Sequence, residues 1–177
     1  MGKEILSLFN EACTALGRDD AFRGLFAELD RALGKVVGHK LFTVLWAGAD
    51  AGEVKRLYSN RPDFYPVSGT KSMTNTPWAQ LVIRAGKPFI GRDAKDMKWA
   101  FPDHEVLATL GCVSALNIPV VVRGRTLGTV NLLHRAHWYQ DRHIALVRPF
   151  AYLLAEPLAS ITHSEPAHNA DFLSATV

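Results

Sequence analysis

Two asparagines pose the chemical question of this chain. The run from Asn117 to His134 reads as two apolar strands joined by Arg123, Gly124 and Arg125. Glycine at a turn centre supplies positive φ without steric cost. With those three residues as the loop, Val122 faces Thr126, Asn117 falls opposite Asn131, and Ser114 opposite His134. Both amides then share one face of an oily hairpin. An unpaired buried amide costs roughly 1–3 kcal/mol. The pair therefore either satisfies itself or holds something else.

Other side chains offer further chemistry. Tyr58, Phe64, Tyr65, Trp78, Trp99 and Phe101 gather on the same presumed side. They form either a cage that stacks on flat rings or cations, or a plug of core. Trp99 and Phe101 follow Arg92, Asp93, Lys95, Asp96 and Lys98, and aromatics in so charged a loop face a cleft. Asp103 suits a helix cap, which puts His104 in a first turn as a proton donor, an anion contact or an exposed ring. Cys112, Ser114 and His134 suggest a nucleophile with its base. Strand parity, however, sets Ser114 and His134 on the face opposite the asparagines, which favours structural roles. His134, His137 and His143, with Cys112 and His104, raise a metal reading. Zinc needs four convergent ligands at ~2.0–2.3 Å, and the chain has no Cys-x-x-Cys pair. No catalytic residue and no metal ligand is assigned. Arg123 and Arg125 read as a solvated hairpin tip, and Arg56 and Arg84 as the anion candidates.

These groups must be positioned by a single domain of 177 residues, spanning 1–162 with its core at about 20–160, ahead of a disordered tail over 163–177. Helices are expected over 3–16 and, capped by Asp19 or Asp20, over 22–36. Strands follow at 40–47 and 53–60, around a turn from Gly48 to Gly52. Residues 61–77 read mostly as loop. A helix begins at Pro77 and stops before Gly86, and a short strand covers 87–91. Residues 92–101 read as loop, and a short helix runs from Pro102 or Asp103 to Gly111. The 113–134 hairpin precedes a last helix over about 140–162, which Pro149 and Pro157 bend or split. This order makes an α+β fold with a mostly antiparallel sheet. The helices at the two chain ends pack together on one face, and their leftover apolar surface suits a homodimer. The net charge of +3 is scattered and there is no run of like charges, so no nucleic-acid or membrane tail is read. No segment is long and apolar enough to span a bilayer, and the two cysteines suit a reduced cytoplasm.

The element order resembles a GAF domain, as do the segments Gly86-Lys87-Pro88-Phe89-Ile90, Ser114 to Val120 and Gly124 to Leu132. The resemblance covers roughly residues 20–160. It implies a PAS-like fold: a central antiparallel sheet, helices on one face, a ligand cavity on the other. It also implies a sensor that binds a small molecule such as a cyclic nucleotide, an amino acid, an aromatic acid or a tetrapyrrole. Such a module would report to a signalling partner in trans. The ligand expected here is a small flat metabolite, anionic ones included, read by Tyr58, Tyr65, Trp78, Trp99, Phe101, His104, Asn117 and Asn131. The alternative is an enzyme of the same fold using a pocket histidine or a histidine-bound metal. It would not be a typical free methionine sulfoxide reductase, since Ala115, Asn131 and Leu133 stand where that branch places carboxylates.

Overall fold

The computed structural model describes residues 2–18, 21–48, 53–67, 70–72 and 76–161. Helices α1 (Gly2–Leu16) and α2 (Ala21–Val36) lead into strands β1 (Leu41–Ala47), β2 (Glu53–Ser59) and β3 (Thr70–Ser72). A π-helix (Ala79–Arg84), β4 (Phe89–Gly91), α3 (Ala94–Ala100) and α4 (His104–Thr109) follow. The chain then forms β5 (Ser114–Val122), β6 (Arg125–His134), α5 (Asp141–Tyr152) and α6 (Ala155–Ser160). The caps expected at Asp19 and Asp20, most of the Gly48 to Gly52 turn, and the tail lie outside the described residues.

All strands join one antiparallel sheet in the order β3-β2-β1-β6-β5-β4. Alternate residues serve two layers. Phe42, Val44, Leu116, Ile118, Val130 and Leu132 pack with α1, α2, α5 and α6, where Phe9 meets Phe150 edge-on at 5.3 Å. Leu41, Ala47, Ala115 and Leu133 pack instead with the π-helix, α3 and α4. Because both faces are covered, β5 and β6 read as nearly unbroken apolar runs.

Local chemistry explains the departures from the expected elements. The hairpin loop has two residues, not three. Arg123 and Gly124 carry φ of 51° and 78°, and Val122 pairs with Arg125. A bulge then leaves Leu127 as an extra residue on β6, because Val121 faces Thr126 while Val120 faces Gly128. The bulge cancels the shorter loop, so Asn117 still faces Asn131 and Ser114 still faces His134. Residues 92–101 are not a loop but contain α3, since the Asp93 carboxylate caps the backbone N–H groups of Lys95 and Asp96. Within 61–77 the short β3 extends the sheet edge. The helix after Pro77 is a π-helix, with the Ala85 N–H bonded to the Gln80 carbonyl at 2.9 Å. Pro149 lies inside α5 and Pro157 inside α6, and the helical path breaks between them at Leu153 and Leu154. Among the described residues, no helix is long and apolar enough to cross a membrane.

Candidate functional site

A row of polar side chains crosses the sheet on the face away from the end helices. The Trp78 indole N–H donates to Asn117 Oδ1 at 2.9 Å. Asn117 Nδ2 donates to Asn131 Oδ1 at 2.8 Å, and Asn131 Nδ2 donates to Thr43 Oγ1 at 3.2 Å. An indole N–H can only donate, so Asn117 must present its oxygen to Trp78. That choice orients both amides and makes Thr43 an acceptor at the end of the row. The Thr43 hydroxyl proton is thereby left for another acceptor. All four side chains are buried.

These four residues line a cavity of about 60 Å³, together with Arg56, Tyr65 and Phe101. That is well below the roughly 300–1,000 Å³ of a typical ligand pocket. Two of the lining residues, Arg56 and Tyr65, pack against each other. The guanidinium lies over the Tyr65 ring, 3.8 Å from the centroid, and Nη1 donates to the Pro66 carbonyl at 2.7 Å. Arg56 Nε is buried with no partner among the described residues. Burial pushes the guanidinium below its usual range, against the opposing pull of Tyr65 and Asp103. The Tyr65 hydroxyl donates to the Asp103 carboxylate. Burial, then that carboxylate, raises the phenol above its ordinary value.

Of the aromatic and polar residues expected to read a ligand, Tyr65, Trp78, Phe101, Asn117 and Asn131 come together at this cavity. Three do not. Tyr58 belongs to the other layer, packed against Phe26 and Phe42 and donating to Asp30 at 2.8 Å. A bulge in β2 causes this: Val44 faces Tyr58 while Leu45 faces Arg56, so Leu57 is the extra residue. Tyr58 and Arg56 therefore point to opposite faces despite their spacing of two. Trp99 is 47% exposed and stacks on the outer side of Phe89 at 5.5 Å. The His104 ring bonds the Phe101 carbonyl at 3.1 Å and is not among the cavity residues. Asp103 precedes α4 but makes no capping bond with its side chain, which Tyr65 engages instead.

The nucleophile and metal constellations do not assemble. Cys112 belongs to the cavity-side layer, where burial pushes its thiol up to about 11. Ser114 faces the other layer and accepts from the Tyr139 N–H at 3.4 Å. His134 stacks on Trp138 at 3.9 Å, and His143 closes the capping box of α5 with Gln140. Among the described residues no three His, Cys, Asp or Glu side chains could hold a metal. Sequence reasoning missed Thr43, Asp103 as a partner of Tyr65, and the placement of Arg56. Only the position of Thr43 within an apolar strand signalled a polar role.

A larger hollow of about 270 Å³ lies elsewhere, lined by Gly86, Pro88, Pro119, Val121, Arg148 and Tyr152. It lacks the convergent polar groups of the smaller cavity.

Comparison with known proteins agrees with this architecture. The family model for the GAF domain matches residues 5–158. The GAF domain of a phosphoenolpyruvate-protein phosphotransferase from Coxiella burnetii superposes with a TM-score of 0.67 at 14% identity, covering 89% of this chain and 95% of that one. Its Acinetobacter counterpart gives 0.67 at 11%, covering 90% and 97%. The chromophore-binding domain of an unusual bacteriophytochrome from R. palustris gives 0.66 at 13%, covering 92% of this chain and 62% of that one. At these identities the likeness is one of fold. No curated protein matches the chain by sequence.

Proposed function

The chain belongs to the GAF domain family, and from that premise we propose that it is a small-molecule sensor acting on a signalling partner in trans. The ligand is a small flat metabolite taken between the polar row and the rings of Tyr65, Trp78 and Phe101. One observation carries this reading. The row from Trp78 to Thr43 does not close on itself but ends in a hydroxyl whose proton has no acceptor among the described residues. Two asparagines serving only the core would need no such open end.

A cavity of about 60 Å³ must widen to admit a metabolite. The side that yields is the segment around Tyr65, held by the Arg56 bond to Pro66 and the Tyr65 bond to Asp103. Occupancy then moves a surface segment, which is the output a sensor needs. The end helices supply a homodimer surface through Leu6, Phe22 and Tyr152, exposed on α1, α2 and α5. The cytoplasm is the compartment, since Cys13 and Cys112 are both free thiols.

Native mass spectrometry beside a denaturing run tests the reading. An extra non-covalent mass on the monomer or dimer supports it and gives the ligand class. A bare mass, with no stabilisation by a metabolite library, overturns it.

A further inference from the structure

We propose that the cavity recognises its ligand by a carboxylate, held between the Arg56 guanidinium and the Thr43 hydroxyl. This rests on the sensor reading above and names the ligand chemistry at that same site.

The polar groups still unspent at the cavity decide the ligand's chemistry. Asn117 Oδ1 and Asn131 Oδ1 already accept from Trp78 and Asn117. Thr43 Oγ1 accepts from Asn131, so what it has left to offer is its proton. Arg56 Nη1 is committed to Pro66, while Nε is buried and unpartnered among the described residues. Nε and the adjacent Nη2 form the edge of the guanidinium that pairs a carboxylate through two parallel bonds. Arg56 Nε and the Thr43 hydroxyl thus offer donors, one of them charged, beside the second amide hydrogen and second lone pair that each asparagine keeps. No carboxylate lies within ion-pair distance of Arg56 among the described residues. Asp103, whose charge acts on Arg56, is engaged by the Tyr65 hydroxyl.

A single charge and a planar fork fit a carboxylate better than a phosphate. A dianion would bring a second charge into a buried site without a partner, which is costly. The cavity of about 60 Å³ has the scale of a carboxylate head group, so the ligand body lies where the Tyr65 segment opens. The aromatic wall favours a ring in that body.

The test uses the intact chain and two matched pairs, benzoate with benzamide and acetate with acetamide, followed by thermal shift and calorimetry. The acids should bind at least about thirtyfold more tightly than their amides. Arg56→Gln should erase that preference while its circular dichroism stays unchanged. Thr43→Val, close to isosteric, should weaken the acids about tenfold and serves where Arg56→Gln does not fold. Acid and amide binding alike, or an undiminished preference in Arg56→Gln, would overturn the carboxylate assignment and leave the sensor standing. No binding of either pair, together with a bare native mass, would overturn both.

Discussion

Replacing Asn117 and Asn131 by leucine, singly and together, tests whether the polar row is one unit. Asn117→Leu removes the acceptor of the Trp78 indole N–H and the donor to Asn131 Oδ1. Two buried polar groups are left without partners. Asn131→Leu likewise strands the Asn117 amide N–H and takes the donor from Thr43. Each stranded group costs about 1–2 kcal/mol, so each single variant should lose about 2–4 kcal/mol. The double variant strands two groups as well, Trp78 at one end and Thr43 at the other. Its loss should therefore also be about 2–4 kcal/mol, not the sum of about 4–8. Adding Trp78→Phe to the double variant removes one remaining orphan and should recover about 1 kcal/mol. Urea unfolding at constant m-value reads these differences directly. Additivity to within about 0.5 kcal/mol would show two independent amides and refute the row.

Further outcomes follow from single positions. Gly128→Ala would place a Cβ 2.1 Å from the Leu45 carbonyl oxygen, so β1 and β6 must part, at a cost of about 3 kcal/mol or more in urea unfolding. Gly124→Ala meets no atom within 4 Å and should cost only about 1–2 kcal/mol, for its φ of +78°. Tyr65→Phe takes the hydroxyl from Asp103 and should speed amide exchange across residues 61–67, read by mass spectrometry. His134 and His143 both sit below the ordinary 6.5, through burial first and nearby cations second. The unfolded chain then binds more protons, so stability is full above 6.5 and falls as pH drops below it, an effect His134→Gln should flatten in denaturation at pH 7.5 and 5. Exposed Cys13 should alkylate rapidly at pH 8 and Cys112, pushed up to about 11, only on unfolding, which peptide mapping resolves.

The pairing of Asn117 with Asn131 was legible because side-chain parity is rigid along a strand and glycine marked the turn. It survived a wrong loop length only because the bulge at Leu127 restored the count. Parity failed at β2 for the same kind of reason. An extra residue at Leu57 turns Tyr58 to the helical layer and Arg56 to the cavity, and no residue type there announces a bulge. Sequence misplaces Trp99 because the stretch that forms α3 resembles a loop, although Asp93 is a good cap. The charges after it resemble a solvated loop as much as a surface helix with Met97 and Ala100 buried beneath.

The same bulge bears on function. Without it, Arg56 and Tyr58 would share a face, and a basic and a phenolic group would compete for one space beside Thr43. With it, Tyr58 meets Asp30 among the helices, and Arg56 is the one charged side chain among the described residues of the cavity wall. Deleting Leu57 removes the extra residue and makes Arg56 and Tyr58 neighbours on a regular strand, so each keeps its partner and its face. The acid-over-amide preference should therefore survive the deletion in the same thermal shift and calorimetry. A folded deletion variant that loses the preference would refute strand parity as what sets the position of Arg56.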